Sequence, residues 1–205
     1  MITDDDRLRR AEETPIIGGL PDFPGILATM KISPAIRSHL AGLADELLVN
    51  PFPGATLTRS ERELLATGVS AGNRCVYCAD THGAFATELL RREKIARAGE
   101  IVACIKRGET ERLSDKMRAL FNVAEKVREN ASSLAREDIA AAIEAGASDG
   151  DTQLAVLIAA AFCMYNRCVD GFRAKTPAKI SAYDERARQI ADHGYSSNQT
   201  AAVPR

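Results

Sequence analysis

The sequence predicts a single all-α domain, and three observations predict it. Apolar residues recur at helical spacing in nearly every segment bounded by turn signals, and no alternating or β-branched run reads as a strand. Capping residues stand where the segments open: Thr58 or Ser60, then Ser114, then Ser148 or Asp149. A 12-residue apolar run, Leu154 to Tyr165, must be covered on several sides at once, and no linker divides the chain around it. With 205 residues, 45% of them hydrophobic and 27% charged, the chain can bury one real core.

The elements follow in order. Residues 1–14 read as a loosely ordered charged arm, and PIIGGLPDFPG, with three Pro and three Gly, as an irregular connector. Pro34 fits a first helical position, with Ile36, Leu40, Leu43, Leu47 and Leu48 on one face and Asn50-Pro51-Phe52-Pro53-Gly54 as the stop. Thr58 and Glu61, or Ser60 and Glu63, are spaced as capping boxes for the next helix, which Gly72-Asn73 ends. A helix to about Arg92 comes next, then one over Glu93–Arg107. Ser114 caps a helix with Met117, Leu120, Phe121, Ala124 and Val127 on one face. Arg136–Ala145 is a short helix closed by Gly146, and Ser148 or Asp149 opens the long central one, to Phe172. Pro177 starts a final amphipathic helix, and HGYSSNQTAAVPR reads as a frayed tail. The expected division is therefore an arm and connector over 1–19, a helical domain over 20–192 and a tail over 193–205.

Charge and composition exclude whole classes of function. A net charge of -1 gives no general attraction for nucleic acid or acidic membranes. The opening MITDDDRLRRAEET lacks the apolar core of a secretory signal, and the longest apolar run falls short of the ~20 residues that cross a bilayer. A cytoplasmic location is expected, where a disulfide is usually transient and catalytic.

Five cysteines are present, and two of them carry the most information. In Cys75-Val76-Tyr77-Cys78-Ala79-Asp80-Thr81-His82 the thiols are three residues apart and an imidazole follows four residues after the second. On a helix these share one stripe. Cα atoms three apart stand at about 5 Å, inside the roughly 4.4–6.8 Å that a disulfide tolerates. The thiols can close and reopen a bridge, and His82 is placed to take a proton from Cys78. Two other readings compete. Cysteines are often buried as small hydrophobes, and Cys, Cys and His are zinc ligands, although no second CxxC or HxxxH supplies a fourth. Cys163 and Cys168, five apart on one helix, lie at about 8.6 Å, too far to bridge, and read as core or interface; Cys104 reads as buried. Asn166 and Arg167, polar after a long apolar run, either satisfy buried groups or line a pocket. The tetrapeptide Asn-Arg-Cys-Val occurs at both 73–76 and 166–169, too short to establish a repeat.

A thioredoxin-like site would put the CxxC at the end of a strand. Here LTRSERELLATGVSAGNR precedes it, which reads as a helix. A Glu twelve residues before the first Cys, a Gly/Asn turn, CxxC and a His four residues on resemble the AhpD-like alkylhydroperoxidase and carboxymuconolactone decarboxylase superfamily, in its peroxidase-related branch. The matching residues are Glu63, Cys75, Tyr77, Cys78 and His82. The likeness extends over roughly residues 20–175, through LSDKMRALFNVAEKV, AREDIAAAIEAGASDGD and FCMYNRCVDGF. The best-studied members carry His between the cysteines, where this chain has Tyr77.

The resemblance implies an AhpD-like helical bundle with the CxxC at the start of a helix. It implies a thiol peroxidase in which Cys78 attacks a hydroperoxide, Cys75 resolves the sulfenic acid, and Glu63 and His82 relay the proton, with no metal or organic cofactor. It also implies an external dithiol reductant of lipoyl or thioredoxin type, a peroxiredoxin as a partner, and a homo-oligomer, trimer or hexamer. Two other functions share this scaffold: a non-catalytic redox sensor or adaptor, and a lactone decarboxylase-like enzyme, whose members generally lack the CxxC.

Overall fold

The structure, a computed structural model, describes residues 2–196. Among them the chain forms ten α-helices and no strand: α1 (Asp4–Glu12), α2 (Ile26–Ile32), α3 (Pro34–Leu48), α4 (Arg59–Gly72), α5 (Val76–Arg92), α6 (Ala98–Lys106), α7 (Asp115–Asn130), α8 (Arg136–Glu144), α9 (Asp149–Phe172) and α10 (Asp184–His193). Short 3-10 turns at Ala131–Ser133 and Ile180–Tyr183 complete it.

The all-α expectation holds, and the caps explain most boundaries. Ser33 caps α3 with Pro34 at its first position, Ser114 caps α7, and Ser148 with Asp151 forms a capping box on α9. Asp151 does more than cap: its carboxylate also accepts from the Thr56 and Leu57 amides at 2.6 and 3.0 Å, tying the entry to α4 onto α9. Leu65 and Val69 of α4, Leu120 and Val123 of α7, and Leu154, Ile158 and Phe162 of α9 interlock as the main core. By length and mean hydropathy, 1.3, α9 could cross a bilayer, but half of that window is buried inside the protein. It is the core helix.

Four local expectations are corrected. Residues 4–12 are not a loose arm but helix α1, closed by a capping box between Thr3 and Asp6. What holds α1 down is Arg7, whose guanidinium donates to Asp80 of α5 at 2.6 and 3.2 Å, while Lys106 of α6 reaches the same fully buried carboxylate at 2.7 Å. The helix expected from Glu93 starts at Ala98, because Lys94 and Arg97 both take the left-handed backbone conformation. The final helix opens at Asp184 rather than Pro177, after the 3-10 turn. The tail also begins later than expected: His193 ends α10, Gly194 turns with φ +75°, and the Tyr195 and Ser196 amides donate to Asp45 of α3 at 2.6 and 2.8 Å. The rest of the expected tail, 197–205, lies outside the described residues.

Candidate active site

Helices α4 and α5 build the site between them and make the most extensive helix contact in the chain. The turn joining them is short. Asn73 caps α4, Arg74 takes the left-handed conformation with φ 61°, and Cys75 is the N-cap of α5. Cys78 thus lies in the first helical turn, where backbone N–H groups lack helical partners and the partial positive charge of the helix end is felt. Both thiols are buried, at 0% and 3% exposure, and all five cysteines are free.

The two possible capping boxes on α4 resolve in favour of chemistry. Thr58 and Glu61 form the box, with the Thr58 amide donating to Glu61 at 2.9 Å. Ser60 turns instead to Glu93, at 2.7 Å, and Glu63 is left free to point inward, 1% exposed. Its Oε2 lies 2.7 Å from His82 Nδ1. A proton on Nδ1 donated to that carboxylate leaves Nε2 as the open base, one helical turn from Cys78.

A residue that sequence reasoning placed in the tail completes this pair. The Tyr195 hydroxyl donates to Glu63 Oε1 at 2.5 Å and stands 3.3 Å from His82 Nδ1. Its ring stacks on His82 and meets Phe85 edge-on, and Phe162 closes on the imidazole from α9 at 4.6 Å between centroids. The two oxygens of Glu63 are thus each held by one partner, which fixes the carboxylate and through it the imidazole. The sequence held only a local hint, since an apolar residue just past a helix-ending Gly often packs back on the last turn; nothing local points to Glu63.

Beside this group lies a cavity of about 140 Å³, lined by apolar side chains such as Leu27, Met30 and Phe162 together with Tyr77, Cys78, His82 and Tyr195. Cys78 faces it, whereas Cys75 is not among its walls. Cys75 sits behind, and its thiol is pushed well above the ordinary cysteine range by the hydrogen bond it gives to Cys78, by burial and by the nearby charge of Asp170. Tyr77 is buried against Tyr183 with ring centroids 5.9 Å apart, and burial pushes its hydroxyl up as well. The chain runs so close over it that a Cβ on Gly25, whose φ is +53°, would stand 2.0 Å from the Tyr77 ring.

The sequence candidates therefore separate. Glu63, Cys75, Cys78, His82 and Tyr77 come together; Asn166 and Arg167 do not line the cavity. Asn166 is buried and clamps the α4–α5 turn, accepting from Asn73 at 2.8 Å and donating to Ser70 at 3.1 Å. Arg167 lies at the surface and returns to the Cys163 carbonyl. The two Asn-Arg-Cys-Val segments touch through their first residues, Asn73 and Asn166. Among the described residues no three His, Cys, Asp or Glu side chains are grouped to hold a metal ion.

Residues 34–126, which span α3 to α7 and both halves of the site, match the carboxymuconolactone decarboxylase family model. Two solved structures share the fold. One, titled an uncharacterized peroxidase-related protein from a Silicibacter species, superposes with a TM-score of 0.67 at 20% identity, covering 82% of this chain and 92% of that one. Over residues 34–126 the chain is similar to the carboxymuconolactone decarboxylase family. The other structure is titled an alkylhydroperoxidase AhpD core, an uncharacterized peroxidase-related protein from Ralstonia eutropha, with a TM-score of 0.66, 22% identity, and coverage of 87% of this chain and 88% of that one. No curated protein matches the sequence. The two structures thus share the fold of this chain, and what the site can do chemically rests on its own side chains.

Proposed function

We propose that the protein is a thiol-dependent peroxidase that reduces organic hydroperoxides through a Cys78/Cys75 dithiol cycle. The observation that carries this reading is the placement of the two thiols: Cys78 lines the cavity with His82, while Cys75 lies behind it. His82 Nε2 takes the Cys78 proton, with Glu63 and Tyr195 holding the ring. The thiolate attacks the terminal peroxide oxygen, the O–O bond breaks, and the alkoxide leaves as alcohol with the proton from His82. Cys78 is then a sulfenic acid. Cys75 attacks its sulfur, water departs, and a disulfide closes. An external dithiol reduces it with two electrons and two protons, becoming a disulfide itself.

The burial of both sulfurs supports a slim reductant of lipoyl type over a docked thioredoxin, because an extended arm can enter the cavity where a globular surface cannot. Exposed Leu157 and Met164 on α9 support the homo-oligomer that the family resemblance implies. The test is consumption of cumene hydroperoxide with the dithiol varied. The wild-type protein should turn over repeatedly, at a rate that depends on the dithiol, and Cys78→Ser should be inert. A wild-type protein oxidised once and never turning over would make it a sensor instead.

A further inference from the structure

The wall of the cavity carries a charge that the dithiol cycle does not use. Arg186 of α10 lines the cavity, half-buried, and so does Arg37 of α3. Among the described residues no carboxylate faces Arg186: the groups that act on it are Tyr77, Tyr195 and Arg37. Burial pushes both of those tyrosine hydroxyls above their ordinary range, so they are neutral at pH 7, and the one charged neighbour is a second cation. Burial, and Arg37 with it, accordingly weakens the hold of Arg186 on its proton. A half-buried guanidinium in an apolar pocket, with no carboxylate beside it, is costly to the folded protein unless an anion joins it.

The same wall includes an aromatic ring, and the cavity volume limits what can enter. The Tyr183 hydroxyl is buried, in a residue 4% exposed, with no hydrogen-bond partner, and Tyr183 lines the cavity beside Tyr77. That hydroxyl is sealed from the cavity, so the ring alone forms part of the wall. The volume, about 140 Å³, suits a short branched or single-ring body, since a closed cavity of about 150 Å³ takes up benzene.

We propose that the cavity takes a small organic hydroperoxide bearing a carboxylate, with the Arg186 guanidinium as the partner of the anion. This rests on the peroxidase reading and names its substrate class. The chemistry is unchanged: the hydroperoxide is the oxidant, Cys78 takes its terminal oxygen, and the carboxylated alcohol leaves.

Two hydroperoxides that differ in one group provide the test: tert-butyl hydroperoxide and 3-hydroperoxy-3-methylbutanoate, in which one methyl hydrogen is replaced by carboxylate. The wild-type protein should prefer the anion in kcat/KM by roughly tenfold or more, the worth of one charge-assisted hydrogen bond. Arg186→Gln should lose that preference while consuming the neutral peroxide at the wild-type rate, and Arg186→Lys should retain part of it. Binding of the alcohol product, 3-hydroxy-3-methylbutanoate, to the reduced protein is measured in parallel by calorimetry, with tert-butanol as control, and needs no turnover. Binding lost in Arg186→Gln, with neither peroxide consumed, would leave the anion site standing and overturn the peroxidase reading. Turnover of both peroxides at equal rates, with no binding of the carboxylate, would overturn the anion site alone. Equal slowing of both peroxides in Arg186→Gln, with the thiol reacting only at higher pH, would assign Arg186 to the Cys78 thiolate and also overturn it.

Discussion

Removing the hydroxyl of Tyr195 asks whether the C-terminal segment belongs to the relay or merely covers it. In Tyr195→Phe the ring still stacks on His82 and meets Phe85, so packing is kept and one O–H donor is lost. That donor holds Glu63 Oε1 at 2.5 Å, on a side chain 1% exposed, so water does not replace it readily. A hydrogen bond to a charged acceptor is worth about 1.5–3 kcal/mol. Part of this appears as stability, read as a lower urea midpoint with an unchanged slope. The rest appears in the reaction: with one oxygen unheld, the carboxylate can turn away from Nδ1, and His82 loses its orientation. A loss of about 1.4 kcal/mol in the transition state is tenfold in rate, so single-turnover peroxide consumption at pH 7 should fall about tenfold. Asp45→Ala releases the same segment from the other side, because Asp45 accepts both the Tyr195 and Ser196 amides, and should slow the reaction similarly. A Tyr195→Phe protein that loses stability but keeps the wild-type rate and pH profile would make Tyr195 a lid and nothing more.

Other outcomes follow from the same geometry. Glu63→Gln should lower the peroxidase rate by at least about tenfold, the low side of general acid–base contributions, and move the pH–rate profile upward; Glu61→Gln keeps the capping box and should change little. Asp80→Asn leaves Arg7 and Lys106 facing a neutral amide in a buried site and should cost about 3–5 kcal/mol, measured by urea unfolding. Burial alone would raise the Asp80 carboxyl, but Arg7 and Lys106 outweigh it and hold it below its ordinary value of 3.8. With the folded value below the unfolded one, the contribution of Asp80 is fully present above pH 3.8 and is lost as the pH falls below it, so wild-type and Asp80→Asn stabilities should converge in acid. Gly25→Ala should destabilise by about 1–3 kcal/mol, since a Cβ there meets the Tyr77 ring at 2.0 Å, and should distort the cavity enough to reduce turnover.

How far the sequence could be read depended on range. Caps and periodicity act within one or two turns, and they located α3, α4, α7 and α9. The spacing of Cys75, Cys78 and His82 is equally local, since one helix fixes it. Glu63 was harder, because the same residues spell two capping boxes; only the packing of α4 on α5 shows that Thr58 and Glu61 form the box while Glu63 turns to His82. Helix α1 was missed because Arg7 reads as surface charge until Asp80, 73 residues away, is seen to receive it. Tyr195 was missed for the same reason, its partner Glu63 being 132 residues distant. Asn166 was noticed and its alternatives named, but which of them holds depends on Ser70 and Asn73, which tertiary packing alone brings within reach.

The central claim is that Cys78 takes the peroxide oxygen and Cys75 resolves it. Mass spectrometry of Cys75→Ser after one equivalent of hydroperoxide tests this most directly. The account predicts one added oxygen on Cys78, trapped as its sulfenic acid adduct, alongside a Cys75–Cys78 disulfide in the wild-type protein under the same treatment. An unmodified Cys78 in Cys75→Ser, with oxygen found instead on Cys75 in Cys78→Ser, would reverse the two roles and contradict it.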